Sequence, residues 1–319
     1  MKNNLKGVII LLITAIIWGS AFVAQSLGSN YVDPFTFNGL RFTIAGIVLL
    51  IASFFIKQIN IKKNPDYKLI NYGSKDKKSI NLMIIMVGVS LFISATFQQL
   101  GIDMTKSASK SGFITTLYIV FVPIISILFG KKVKPINFLY ILIALIGSYM
   151  VAVKEDFSLE IGDILTLICA IFYAFQIIFV DKVNPYINSV LLCSIQTLIA
   201  GIISLIIAVF KETIILSNII NALPAILYAA ILSSCIAYTM QIIGQKYTEP
   251  TLASMLMSLE SVFALISGLI FLEEKILILG YIGSILIFIS IILVQLDFKK
   301  IFSKKTLVDW FQQVFLFLL

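Results

Sequence analysis

Ten apolar runs of about 20 residues fill most of this 319-residue chain and constrain its fold more than any other feature. A helix of this length crosses a hydrocarbon core about 30 Å thick. Because backbone polar groups in lipid need internal partners and the runs lack period-2 alternation, helices are predicted instead of barrel strands. The runs cover approximately 6–25, 34–56, 80–101, 107–129, 135–153, 162–181, 187–209, 222–245, 250–272 and 277–297.

Composition excludes most catalytic and metal-binding chemistry. The chain has no histidine, so His-based catalysis, Ser-His triads and His-ligated metal sites are excluded. Its three cysteines lie inside apolar runs without a CxxC spacing, which indicates small buried hydrophobes and neither a zinc site nor a disulfide framework. We therefore expect no enzyme, no catalytic residue, no metal site and no bound cofactor.

The lysines predict the orientation of the spans. If the N-terminus is cytoplasmic, 18 lysines fall in cytoplasmic segments and 5 in external ones, with Arg41 inside a span. An excess of Lys in cytoplasmic loops is the usual bias of membrane proteins, so both termini are predicted to be cytoplasmic and the protein to lie in the inner (plasma) membrane. The same bias explains the net charge of +8 without nucleic acid as a partner.

An internal repeat divides the chain. An offset of 155 residues pairs Gly7 with Gly162 and Trp18 with Tyr173, and an offset of 143 pairs Gln98 with Gln241. We assign a first repeat to 5–153, with a basic, solvated cytoplasmic loop at 57–79, a second repeat to 162–297 and a cytoplasmic tail to 298–319. Because five spans make each half, the halves have opposite orientations, which is typical of alternating-access transporters.

Two ionisable residues lie within the spans, where a charge is costly and needs a physical explanation. Glu260 lies about ten residues from either end of the ninth span. It either lines a cavity, binding an amine or carrying a proton, or is a neutral or paired acid that joins helices. Arg41 lies about seven residues from the outer end of the second span and can snorkel to the surface as an anchor. Its alternative roles are gating and binding of a substrate carboxylate.

Amide and aromatic residues recur at equivalent positions of the two halves. Such groups suit a neutral or zwitterionic organic solute better than a bare ion. Candidate substrate-binding residues are Trp18, Phe22, Gln98, Tyr118, Tyr173, Gln176, Tyr238, Gln241, Met257 and Glu260, and candidate gating or structural residues are Arg41 and Gln196.

In these motifs the chain resembles the ten-helix permeases of the drug/metabolite transporter superfamily that contain two EamA-type repeats. The resemblance covers residues 5–297 and depends on Ile17-Trp18-Gly19-Ser20-Ala21-Phe22, Asp33-Pro34-Phe35, Leu40-Arg41-Phe42, Phe121-Val122-Pro123, Ile161-Gly162-Asp163 and Ser258-Leu259-Glu260-Ser261. It implies a basket-like fold of ten helices around a central cavity lined by helices 1, 3, 4, 6, 8 and 9. It also implies export of amino acids or related metabolites.

The sequence thus predicts an all-α membrane protein that exports a small metabolite such as an amino acid by alternating access. Proton coupling would depend on Glu260, the only acid near the middle of a span. The alternatives are efflux of cationic drugs and, less favoured, flipping of a lipid-linked carrier. The expected partners are the small-molecule substrate and the bilayer, with the protein a monomer or weak dimer.

Overall fold

The computed structural model describes residues 2–152, 160–273 and 277–295, and within these ranges it forms ten helices that follow the predicted runs. The predicted tail at 298–319 lies outside the described residues. The helices are α1 (Lys2–Gly28), α2 (Pro34–Lys63), α3 (Lys77–Thr105), α4 (Ala108–Leu128), α5 (Ile136–Ala152), α6 (Ile161–Val183), α7 (Ser189–Lys211), α8 (Leu216–Gly244), α9 (Pro250–Phe271) and α10 (Ile278–Gln295).

Their lengths and compositions fit membrane spans. Eight of the described helices are long and apolar enough to cross a membrane, and α5 and α10 contain shorter apolar stretches, Ile136–Met150 and Ile278–Leu293. Many large apolar side chains stay exposed, as expected where lipid replaces water. The prediction of an all-α membrane protein with ten helices is confirmed. We call the side where α1 begins the N-terminal face and the side where α1 ends the far face.

Two helix crossings show the inversion of the halves directly. At the far face α3 meets α6, and a Cβ atom added to Gly101 would lie 2.7 Å from the carbonyl oxygen of Gly162. At the N-terminal face α8 meets α1, and a Cβ atom added to Gly7 would lie 3.2 Å from the carbonyl oxygen of Gly244. Only glycine permits such close backbones. The four glycines are repeat equivalents, so the same contact occurs once on each face.

A packed pair, α2 with α7, connects the two halves along their length. Its glycines allow close approach, as where Gly46 meets Leu198. At the far face the carboxylate of Glu212 accepts hydrogen bonds of 2.7 Å from the backbone nitrogens of Phe35 and Thr36, and a third from the Thr36 hydroxyl. This far-face clasp satisfies the free N–H groups at the start of α2.

At the N-terminal face the connection between α2 and α3 contacts the connection between α6 and α7. Ile70 and Ile187 form an isolated antiparallel β-bridge, and the Asn71 backbone nitrogen donates to Tyr186 at 2.8 Å. The connection spans only 64–76, because α2 extends to Lys63 and α3 begins at Lys77. The predicted solvated loop at 57–79 is therefore shorter, and its centre is held against the second half.

Three helices depart from regular α geometry near the middle of the fold. Between Ala108–Thr116 and Tyr118–Leu128 α4 is interrupted, and between Pro250–Met257 and Glu260–Phe271 α9 is interrupted. The two interruptions lie at equivalent positions of the repeats. In α8 the segment Ala229–Ala237 is π-helical. Discontinuous and π-helical segments are frequent at functional sites, including those of transporters.

Candidate functional site

A central cavity lies between the two halves. It leaves about 20 Å³ for the centres of water molecules, which is room for roughly one or two. Seven helices contribute its walls, including α2 in addition to the six that the family resemblance implies. The lining residues are Trp18, Ala21, Phe22, Gln25, Arg41, Gln98, Thr115, Tyr118, Tyr173, Ile177, Ser233, Tyr238, Gln241 and Glu260.

Tyrosines and an amide from both halves meet across this cavity. The hydroxyls of Tyr173 and Tyr238 are 3.0 Å apart, and the Tyr173 hydroxyl donates to Gln98 Oε1 at 3.3 Å. Gln98 Nε2 donates in turn to the Thr115 hydroxyl at 3.3 Å. The Trp18 ring packs edge-on against Tyr238 at 4.9 Å between centroids. The repeat equivalents Trp18 and Tyr173 thus both reach the cavity.

Arg41 is buried, not snorkelling, so that prediction was wrong. Its side chain is 2% exposed and folds over the ring of Phe42, with 4.3 Å between the guanidinium carbon and the ring centroid. Its Nε donates to Asn38 Oδ1 at 2.9 Å, and Asn38 is itself fixed by a 2.9 Å bond to the Ala95 carbonyl. Nη2 has no hydrogen-bond partner, and no carboxylate of the described residues lies within 4.0 Å of the guanidinium.

Glu260 lines the same cavity from the other half. It is the first residue after the interruption of α9, and its side chain is 3% exposed. Its Oε1 has no hydrogen-bond partner, and no cation of the described residues lies within 4.0 Å of the carboxylate. A buried charge without a partner is energetically costly. The cavity therefore contains one guanidinium and one carboxyl group, and neither forms an ion pair with a described residue.

Further unpartnered atoms at the cavity wall surround these charges. Trp18 Nε1 is a donor without an acceptor, and Gln25 Oε1 is an acceptor without a donor. The Tyr118 hydroxyl lies beside the Glu260 carboxyl group. Buried polar groups normally have partners. This concentration of unsatisfied groups distinguishes the cavity from a packed core. No cluster of His, Cys, Asp or Glu suited to a metal ion occurs in the part of the chain that the structure describes.

Three of the proposed site residues do not line the cavity. Gln176 lies behind it and exchanges hydrogen bonds with Gln241, the shorter of which is 2.9 Å. Gln196 accepts from Gln176 at 3.0 Å, and Met257 is fully buried. These two amides support the wall, and Gln241 alone of the cluster reaches the cavity.

Sequence reasoning did not single out the contributions of Ala21, Thr115, Ile177 and Ser233. Ala21 could have been found from helical spacing, since Trp18, Ala21, Phe22 and Gln25 share one face of α1. Ser233 lies in the π-helical segment, where the α-helical period does not apply and no sequence signal identifies it.

Comparison with known proteins agrees with this architecture. A family model described as the EamA-like transporter family matches the chain twice, at residues 5–153 and 160–296. A solved crystal structure has a similar fold, with a TM-score of 0.69 and 17% sequence identity over 89% of this chain and 94% of its own.

Full-length relatives have the same classification. A protein of Archaeoglobus fulgidus named as an uncharacterized transporter is 32% identical over 90% of this chain and 84% of its own length. The inner membrane transporter YedA of Escherichia coli, also named as uncharacterized, is 26% identical over 92% of this chain and 91% of its own. YoaV of Bacillus subtilis, a further uncharacterized transporter, is 22% identical over 89% of this chain and 95% of its own length. The chain therefore belongs to the EamA-like transporter family and is a membrane transporter.

Proposed function

We propose that the protein exports a small zwitterionic metabolite of the amino-acid class by alternating access. One observation carries this proposal: the Arg41 guanidinium and the Glu260 carboxyl group, both buried and neither in an ion pair, line a single cavity between inverted halves. A solute with one carboxylate and one ammonium group supplies both missing counter-ions at once. A cation or an anion alone leaves one of the two charges unpaired.

The neighbouring atoms match the two ends of such a solute. Arg41 Nη2 and Trp18 Nε1 are free donors for a carboxylate. Glu260 Oε1 and Gln25 Oε1 are free acceptors for an ammonium group. The aromatic walls accommodate an apolar or aromatic substituent between the two ends. Because the closed cavity has room for only one or two waters, entry of the solute requires one face to open.

The orientation of the protein in the membrane is proposed from the lysine distribution. With the N-terminal face in the cytoplasm, the predicted cytoplasmic segments carry 18 of the 23 lysines. The Escherichia coli relative is named as an inner membrane transporter. We place this protein in the plasma membrane with cytoplasmic termini. Proton exchange can drive export if Glu260 binds a proton after the ammonium group has left.

The test measures transport of a panel of amino acids by the protein reconstituted in proteoliposomes, with and without a pH gradient. Each active amino acid is compared with its amide, which lacks the carboxylate, and with its N-acetyl derivative, which lacks the ammonium group. We expect Arg41→Gln and Glu260→Gln each to weaken apparent affinity for the zwitterion about 10- to 100-fold, the range for loss of one charged hydrogen-bond partner. Glu249→Gln changes an exposed carboxylate and is the matched control.

The derivatives separate the two roles. Arg41→Gln should not weaken transport of the amide, which has no carboxylate for Arg41 to bind, and Glu260→Gln should not weaken transport of the N-acetyl derivative, which has no ammonium group. If pH-driven uptake by Glu260→Gln equals that of the wild type, coupling through this carboxylate is excluded. Activity on lipid-linked substrates alone would overturn the proposal.

A second candidate, efflux of lipophilic cations, is favoured by the combination of Glu260 with aromatic walls. Arg41 in the same cavity opposes it, because an unpaired guanidinium repels a cation in a medium of low dielectric constant. Transport of a quaternary ammonium dye that persists or increases in Arg41→Gln, without transport of any amino acid, would favour this candidate.

A further inference from the structure

Two sets of hydrogen bonds join helices that line the cavity, one set towards each face. At the far face the end of α3 is joined to the end of α1: Gln99 Nε2 donates to the Gln25 carbonyl oxygen at 3.2 Å. Lys106 Nζ donates to the Ser29 carbonyl oxygen at 3.0 Å. Gln25 also lines the cavity, so this closure lies directly above it. We call this set the far-face gate.

At the N-terminal face the end of α8 is joined to the end of α6. Asn184 Nδ2 donates to the Ile242 carbonyl oxygen at 2.7 Å, and Gln245 Nε2 donates to the Ile177 carbonyl oxygen at 3.0 Å. Ile177 lines the cavity, so this closure lies directly below it. We call this set the N-terminal-face gate. The repeat relates α1 with α3 to α6 with α8, and each gate uses side-chain amides that donate to backbone carbonyls.

Apart from α2, the cavity-lining helices form two bundles, one of α3, α4 and α6 and the other of α1, α8 and α9. Each gate joins one bundle to the other. The glycine crossings connect α3 to α6 and α1 to α8. Lys110 pairs with Asp163 at 2.8 Å and Lys131 pairs with Asp181, so α4 is joined to α6 at both faces. In the other bundle α9 approaches α1 so closely that a Cβ atom on Gly19 would lie 2.8 Å from a backbone nitrogen. Rocking of one bundle against the other therefore opens one gate while the other stays closed.

The gate amides have only half of their hydrogen-bonding groups satisfied. Gln99 Oε1, Asn184 Oδ1 and Gln245 Oε1 are buried without a partner. Opening to water would hydrate each of these oxygens and offset the bond that is lost. In the far-face clasp, by contrast, both oxygens of Glu212 accept hydrogen bonds. The gate amides are therefore held less firmly than the clasp, although Lys106 of the far-face gate has three hydrogen-bond partners.

We propose that Gln99 at the far face and Asn184 with Gln245 at the N-terminal face are the opposing gates of alternating access, while α2 and α7 remain clasped. The proposal is independent of the solute. It predicts that two different substitutions at one gate position shift the opening of that gate in opposite directions. An isosteric glutamate places a carboxylate against a carbonyl oxygen and opens the gate. Leucine removes the unsatisfied oxygen and makes hydration of the open state unfavourable, so the gate stays closed.

The test is side-specific labelling of a cavity cysteine. Ser233→Cys is introduced after Cys169, Cys193 and Cys235 are replaced by serine, and a membrane-impermeant maleimide is applied to vesicles of either orientation at mildly alkaline pH. We expect Gln99→Glu to raise labelling from the far face roughly tenfold, since the cost of burying a charge exceeds that of a lost neutral hydrogen bond. Gln245→Glu should do the same from the N-terminal face, and each leucine variant should reduce labelling from its own face.

Glu212→Gln is the control, and it should leave the sidedness of labelling unchanged. Ala21→Cys, which also lies at the cavity wall, provides a second reporter if Ser233→Cys does not fold. Glutamate and leucine variants that shift labelling in the same direction, or gates on the two faces that affect the same side, would overturn the proposal. Because labelling needs no solute, this result is distinct from failure of the amino-acid hypothesis.

Discussion

At the residue scale, the two charges of the cavity break the symmetry of the repeat. The position equivalent to Arg41 in the second half is Gln196, and the position equivalent to Glu260 in the first half is Leu117. Each half therefore contributes one charge that the other lacks. For the proposed zwitterion, this arrangement allows a single orientation in the cavity, with the carboxylate towards the first half.

Glycine packing gives a stability prediction at the same scale. In Gly101→Ala the new Cβ atom would lie 2.7 Å from the backbone oxygen of Gly162, which cannot move without shifting α6. We expect a loss of about 1–3 kcal/mol in the free energy of unfolding, the usual cost of overpacking. Thermal unfolding in detergent measures this loss.

The matched control is Gly244→Ala, whose nearest neighbours are the Cδ2 and Cγ atoms of Leu11, each at 2.7 Å. Because both atoms move when that side chain changes rotamer, we expect a smaller loss. An equal or larger loss in Gly244→Ala would contradict the assignment of rigid backbone contact to the α3–α6 crossing.

Sequence reasoning could identify Glu260 as a cavity residue but could not choose a role for Arg41. Both residues were identified because an ionisable side chain within an apolar run has a high free-energy cost in the membrane. The direction of the Arg41 side chain depends on its rotamer and on the Asn38 hydrogen bond, which the linear sequence does not specify. The pairs Trp18 with Tyr173 and Gln98 with Gln241 could be selected because the repeat restricts where equivalent residues can lie.

At the element scale, the ten helices were predictable from apolar run length, but their interruptions were not. No glycine or proline marks the break at Leu117 or at Ser258-Leu259, so composition gave no warning. The breaks lie at equivalent positions, which suggests that they arise from packing common to both halves. The β-bridge of the 64–76 connection depends on tertiary contact and was equally invisible.

The far-face clasp gives the prediction for this scale. Glu212→Ala removes the acceptor of three hydrogen bonds at the start of α2, and we expect a loss of about 1–2 kcal/mol, within the range for charged hydrogen bonds and N-caps. Chemical or thermal unfolding in detergent measures it. The control is Glu249→Ala, at the N-cap of α9, where the side chain makes no capping hydrogen bond. Equal losses in the two variants would contradict the clasp.

At the scale of the whole molecule, contacts at each face agree with the inverted arrangement. Both ion pairs between α4 and α6, the clasp, the β-bridge and both gates connect residues that ten alternating spans place on the same face. Repeat detection could predict this inversion from the sequence alone. It could not predict which non-consecutive helices pack closely, because that depends on tertiary contacts.

At this scale we predict which side of the membrane the N-terminus and the first connection occupy. An epitope tag before Lys2 should be protected from protease in intact cells, and one inserted at 29–33 should be accessible, because the lysine bias places the N-terminal face in the cytoplasm. Protease protection in whole and permeabilised cells measures both tags. Replacing five lysines of 57–78 with glutamine should weaken this preference, and replacing the five lysines of the predicted external segments, Lys106, Lys110, Lys154, Lys211 and Lys275, serves as control. Accessibility of the N-terminal tag alone in intact cells would reverse the assignment.

The narrow cavity has a consequence for the transport cycle. Its walls already meet around a space for one or two waters, with contacts made at both faces. Any solute larger than one or two waters must spread these walls apart, so the range of cargo sizes depends on how far the helices separate and not on the volume of this space.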